Sequence, residues 1–201
     1  MKLAIVDYGA GNLPSVERAF VALGAETERA VSPEQLASAQ AIVLPGVGHF
    51  SAFVNGLRQR NLTDALRAAF EAGVPILGIC LGLQAMFASS EEAPGEPGLG
   101  FFQEKVTALP TNVKSPHIGW NQVRRVKESK LLRNIPEDAF FYFAHSYAAP
   151  ASAQATVAAC DHGVSFAAVI EQGRLAAVQF HPEKSGETGA RVLRNFLESL
   201  A

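Results

Sequence analysis

The residues best placed to do chemistry begin with Cys80, in the run Gly78-Ile79-Cys80-Leu81-Gly82. A nucleophile with glycine two residues away on either side is what a strand–turn–helix elbow requires. The turn is strained, and strand and helix must approach closely. By itself the run fits a small buried core cysteine as well as a nucleophile. Its place directly after the apolar segment Val74–Ile79 favours the nucleophile. The sulfur would then leave the sheet edge at a helix N-terminus, where unpaired N–H groups favour a thiolate. The Leu81 N–H would be placed to donate to a developing oxyanion. Cys160 ends a short apolar run with no elbow around it and reads as a structural thiol.

A thiol nucleophile needs a general base, itself held by a third group. Of His49, His117, His145, His162 and His181, the last stands out, in His181-Pro182-Glu183 after the apolar run Leu175–Phe180. Pro182 restrains His181 to an extended conformation, in which residues two apart share a face. Glu183 would thus accept from one ring nitrogen and leave the other for Cys80. Without Cys80, the two would read as an ordinary surface pair after a strand. His-x-Glu has no third ligand at a metal-binding spacing and there is no Cys-x-x-Cys pair, so neither metal nor cofactor is expected. A second oxyanion donor is expected from Gly46, Val47 and Gly48 in Pro45-Gly46-Val47-Gly48, whose glycines let a peptide unit turn. The alternative is a plain Pro-Gly turn.

Elements that position these groups follow from short apolar runs and turn signals. Strands are predicted at Lys2–Asp7, Glu26–Val31, Ala41–Leu44 and Val74–Ile79. Helices are predicted from Pro14 to Leu23, after Ser32-Pro33, across Phe50–Ala72 and from Leu81 to Ala88. Alternation of this kind implies βαβ units, an α/β fold with a mainly parallel central sheet flanked by helices. After the Glu91–Gly98 loop come short strands, Phe140–Ala144, Thr156–Cys160, Ser165–Ile170 and Arg174–Val178, with a hairpin turn at Gln172-Gly173. These add antiparallel strands in the second half, before a last helix over Thr188–Leu200.

The 201 residues suffice for one sizeable core, so a single domain over 1–201 is expected. A net charge of -2 gives no bulk attraction to nucleic acid or anionic membrane. The one basic stretch, Arg124, Arg125, Lys127, Lys130 and Arg133, reads as a solvated face. The run Leu3–Val6 is stopped by Asp7, too early for a signal peptide, and two cysteines make no disulfide framework, so a reducing, cytoplasmic setting is expected.

Cys80 in its elbow, Gln84 four residues on, and His181-Pro182-Glu183 far downstream resemble the class I (triad) glutamine amidotransferases. Within them, Asp7–Val16, Pro45–Gly48, Pro116–Asn121, Phe143–Tyr147 and Phe180–Ser185 resemble the branch of glutaminase subunits that serve a (β/α)8-barrel cyclase in histidine biosynthesis. The resemblance implies glutamine hydrolysis by Cys80, His181 and Glu183, with ammonia passed to that cyclase in a heterodimer. It implies a partner interface holding Asn12, Trp120, Asn121 and Lys184. Trp120 and Asn121 are expected in a loop after Gly119, and a core tryptophan is the alternative for Trp120. Gln84 is expected to hold substrate or the Pro45–Gly48 loop, unless it is an exposed helix residue. His145, Ser146 and Tyr147, with Tyr142, are expected at the site or its rim. The Pro45–Gly48 loop is expected to rest inactive until the partner sets it. Other amidotransferase subunits, serving anthranilate, aminodeoxychorismate or pyridoxal phosphate synthesis, are the nearest rivals. The Gly-Ala-Gly-Asn turn and the Pro-His-Ile-Gly-Trp-Asn segment argue against them. A cysteine peptidase or deglycase on the same scaffold, or a binding subunit that has lost turnover, are the more distant ones.

Overall fold

In a computed structural model, which describes residues 2–200, the chain opens with β1 (Lys2–Val6), α1 (Leu13–Val21), β2 (Glu26–Ala30), α2 (Pro33–Ala37) and β3 (Ala41–Gly46). Two helices, α3 (Phe50–Gln59) and α4 (Leu62–Glu71), lead to β4 (Ile76–Cys80) and α5 (Leu81–Ala85). Then follow β5 (Phe87–Ser90), β6 (Phe102–Ala108), β7 (His117–Gln122), β8 (Arg124–Arg125), β9 (Phe140–His145), β10 (Tyr147–Ala148), β11 (Thr156–Asp161), β12 (Ser165–Gln172) and β13 (Leu175–Val178). A 3-10 turn at Pro182–Lys184 precedes α6 (Gly186–Glu198).

Eight strands form the central sheet, ordered β2-β1-β3-β4-β13-β12-β11-β8. From β2 to β13 neighbours run parallel, and the remaining pairs are antiparallel. The pleat sorts the strand residues to opposite faces. Ile42, Leu44 and Ile76 pack with Phe50, Phe53, Leu57 and Leu66 on one side. Leu3, Ile5, Val43, Leu77 and Ile79 pack with Phe20, Phe141, Phe180 and Phe196 on the other. Burial on both faces explains why β3 and β4 read as unbroken apolar runs. The hairpin at Gly173 joins β12 to β13 in the register Gln172↔Leu175.

Three expectations are corrected. The helix after Cys80 ends at Ala85, not Ala88, because Phe87 leaves it to pack its ring 5.1 Å from that of Phe102 as β5 pairs β6. Tertiary pairing overrides helix propensity there. The short strands of the second half only partly extend the main sheet: β10-β6-β5 and β7-β9 stand as separate sheets. Trp120 and Asn121 lie in β7, not in a loop, in register with Tyr142 and Phe141 of β9.

Candidate active site

The elbow forms because two glycines let backbones touch. A Cβ on Gly82 would lie 1.9 Å from the Leu44 carbonyl oxygen, and one on Gly46 would lie 2.7 Å from the Gly82 nitrogen. α5 therefore starts directly beside the end of β3, with Gly46 opposite Cys80 in the register. Cys80 itself has φ 54° and ψ −108°, a strained conformation for a residue with a Cβ.

His181 follows β13, the strand that neighbours β4. Its backbone turns at once: the Lys184 N–H and the Ser185 hydroxyl both donate to the His181 carbonyl, at 3.0 and 2.7 Å. His181 itself is extended, as expected, and the 3-10 turn that follows, rather than a continued extended chain, brings Glu183 Oε1 to 2.9 Å from His181 Nδ1. Both side chains are almost fully buried. Burial alone would push the imidazole pKa down, but the Cys80 sulfur and then the Glu183 carboxylate outweigh it and raise it to about 10. A protonated His181 between two acceptors is suited to receive, hold and return a proton.

Cys80, Leu81, Gln84, Glu92, His145, Ser146, Tyr147, His181 and Lys184, with Val47 and Gly48, line one cavity of about 270 Å³. The candidates from β3, β4, β9 and the turn after β13 thus converge. A hollow of about 170 Å³ between Leu131, Leu175 and Phe196 has no cysteine or histidine in its lining. Gly46 sits behind the cavity, against Leu81 and Phe53. In the loop, the Tyr8 hydroxyl accepts from the Val47 N–H at 3.1 Å and donates to the Val47 carbonyl at 2.9 Å. Burial raises the Tyr8 pKa above its usual value and keeps the hydroxyl protonated. The Val47 N–H is therefore already engaged by the Tyr8 hydroxyl.

Gln84 is buried, not exposed: its Nε2 donates to the Tyr147 carbonyl at 2.7 Å and to Gln179 Oε1 at 3.2 Å. Four groups of the site were not singled out from sequence. Gln179 donates from Nε2 to the Cys80 sulfur at 3.6 Å. A glutamine inside the apolar run Leu175–Phe180 was a readable signal, since a buried amide needs partners. Glu92 lines the cavity and accepts from the Phe50 N–H at 2.9 Å, but in a Glu-rich loop nothing marked it. Tyr8 lay unremarked inside the Asp7–Val16 segment, and His117 was named only among the histidines and in the Pro116–Asn121 segment. Cys160 is buried, and burial pushes its thiol up to about 12, as a structural role requires.

Of the expected interface residues, Trp120 is 54% exposed and meets the Tyr142 ring edge-on at 6.1 Å. Lys184 lies over that same ring at 5.7 Å. Ile118 and Phe140 are also exposed, and strand alternation places Ile118 on the Trp120 face. Asn12 is exposed at the start of α1, beside the crevice behind Val47 and Glu183. Asn121 departs from the group: alternation turns it to the opposite face from Trp120, where its Nδ2 meets His117 Nε2 at 3.3 Å and the Asp161 carbonyl at 3.2 Å. No described helix is long and apolar enough to cross a membrane.

The cysteine elbow after β4 thus has the buried His–Glu pair after β13 on one side and the glycine loop after β3 on the other. The chain belongs to the family glutamine amidotransferase class-I, whose family model matches residues 4–200. It is 45% identical to the imidazole glycerol phosphate synthase subunit HisH of Moorella thermoacetica, over 98% of this chain and 94% of that one. To the subunit of the same name in Methanothermobacter thermautotrophicus it is 46% identical, over 98% of each chain. A solved glutamine amidotransferase shares the fold with a TM-score of 0.78 at 20% identity, over 98% of both chains.

Proposed function

We propose that this chain is the glutaminase subunit of an imidazole glycerol phosphate synthase, a single amidotransferase domain that acts in the cytoplasm as a heterodimer with a (β/α)8-barrel cyclase. The observation that carries the reading is that Cys80 and His181 line one cavity, with Glu183 bonded to His181 behind it. The full-length likeness to subunits of that synthase supports it.

The Cys80 thiolate attacks the carboxamide carbon of glutamine. The carbonyl electrons move to oxygen, which the Leu81 N–H stabilises together with an N–H from the Pro45–Gly48 loop. His181 gives its proton to the leaving nitrogen, ammonia departs and a thioester remains. His181 then takes a proton from water, which attacks the thioester and frees glutamate and the thiolate. Glu183 holds the imidazole ring and stabilises its charged form. Glu92, at the cavity wall, offers a carboxylate to the substrate's α-ammonium. The engaged Val47 N–H supports the view that the loop rests inactive. The exposed Ile118–Trp120 face is where the cyclase docks, and ammonia passes across that boundary.

The test is glutamate release from glutamine with and without the cyclase, alongside labelling of Cys80 by a glutamine-mimicking electrophile. Turnover that rises with the cyclase and labelling confined to Cys80 are expected. Equal turnover with and without the cyclase sinks the coupling, and an unlabelled Cys80 in the complex sinks the catalytic assignment.

A further inference from the structure

Three backbone groups, the Gln122 N–H and the carbonyls of Asp161 and Tyr147, fix how the polar chain from Asn121 to Gln179 is oriented. At its outer end Asn121 Oδ1 accepts from the Gln122 N–H at 2.8 Å, so its Nδ2 faces the Asp161 carbonyl and His117. His117 Nε2 must therefore accept, and its proton sits on Nδ1, which donates to His145 Nε2 at 3.0 Å. The His145 proton then lies on Nδ1, 2.9 Å from the Tyr147 carbonyl, which can only accept. Burial lowers the pKa of His117 to about 4 and of His145 to about 3, so both rings are neutral and can play these single-tautomer roles.

The Tyr147 carbonyl then fixes the inner half. It faces the Gln84 amide nitrogen, because an amide oxygen there would oppose oxygen to oxygen. That nitrogen also faces Gln179, which must show it Oε1 and turn its own Nε2 to the Cys80 sulfur. Gln179 is 0% exposed, so no water competes for the contact.

We infer that Gln179 is a further catalytic residue: its amide N–H holds the Cys80 sulfur in its anionic form, and the chain Asn121–His117–His145–Tyr147–Gln84 positions it to donate. This deepens the proposed reading of Cys80 as the nucleophile and rests on it. It also moves Asn121 from the partner interface to the positioning of the site. A hydrogen bond to a charged acceptor is stronger than one to a neutral thiol, so the contact favours the thiolate. Tyr8, Glu92, His145, Tyr147, His181 and Lys184 are the other titratable groups around the sulfur, and the variants below substitute none of them.

Iodoacetamide alkylation of Cys80, followed across pH in the whole chain, tests this without glutamine. Gln179→Leu is expected to slow alkylation at pH 7 about tenfold and to move its pH profile upward. Gln179→Glu, which keeps the shape, is expected to be slower still through like-charge repulsion. A purely structural role predicts the reverse order. Asn121→Asp swaps a donor for an acceptor on a part-exposed strand, and is expected to slow alkylation about threefold with an unchanged melt. Wild-type alkylation in Gln179→Leu overturns the donor role, and wild-type alkylation in Asn121→Asp overturns the positioning chain. The readout is sulfur chemistry, so an absence of glutamine turnover in the wild-type complex overturns the glutaminase reading alone.

Discussion

The Tyr8 hydroxyl holds both polar atoms of the Val47 peptide residue, accepting from its N–H and donating to its carbonyl. Tyr8 precedes the turn that carries Asn12, on the side where the partner is expected, while Val47 faces the cavity. A single hydroxyl thus joins the two. Tyr8→Phe keeps the ring packed at 4.5 Å on Phe53 and removes only the clasp. Glutamate release without the cyclase should rise about tenfold, a fraction of what one oxyanion donor contributes. The rate with the cyclase should change little. An unchanged or lower basal rate, in a variant with wild-type stability, would reject the clasp.

Glu92 is expected to govern substrate affinity rather than chemistry. Glu92→Gln keeps an acceptor for the Phe50 N–H but removes the charge. KM for glutamine should rise about tenfold while kcat stays within about twofold. A fall confined to kcat in steady-state assays would place Glu92 elsewhere in the mechanism.

Backbone contact at the elbow makes a sharp stability forecast. Gly82→Ala drives a methyl to 1.9 Å from the Leu44 oxygen and should cost about 3 kcal/mol in urea melts. Gly24→Ala meets nothing within 4 Å and carries only the strain of φ +84°, about 1 kcal/mol. Equal losses would mean that the close approach relaxes freely.

His117 and His145 give acid sensitivity of a defined sign. Their folded pKa values lie below the ordinary 6.5, so the unfolded chain binds more protons between those values. Stability from these sites is full above about pH 6.5 and is lost as pH falls toward 4 and then 3. His181 acts oppositely: its raised value adds stability below about pH 6.5 that fades as pH climbs through about 10. Thermal melts of His145→Asn should therefore show a shallower loss from pH 6.5 to 4 than wild type. A parallel slope would count against a neutral, buried His145.

Trp120→Ala removes an exposed ring and should leave the melt within about 0.5 kcal/mol of wild type. Titration calorimetry with the cyclase should show a loss of about 2 kcal/mol or more, roughly thirtyfold in Kd. Undiminished affinity would move the docking face away from β7.

The parallel half of the fold and the grouping of Cys80, His181 and Glu183 were legible in the chain because each rests on local pattern. Cys80 has its glycines within two residues, and His181 has Glu183 two residues away. What escaped is non-local. Asn121 was placed with Trp120 because Gly119 looked like a break, and only the pairing with β9 makes the segment a strand whose neighbours face opposite ways. Gln179 needs Gln84, 95 residues distant, to reveal which of its atoms faces the sulfur. Phe87 carries a helical pattern and becomes a strand residue because of Phe102. These are outcomes of packing that no window of sequence contains.

The depth of Cys160 has a practical side. Its thiol is buried, and burial holds its pKa near 12, so near neutral pH it is closed to thiol reagents as long as the chain is folded. With Cys80 as the proposed nucleophile, one reactive thiol is expected beside one silent one. Counting reagent incorporated per chain reports intact sites directly: one equivalent marks a competent population, and any approach to two measures the unfolded fraction in a preparation.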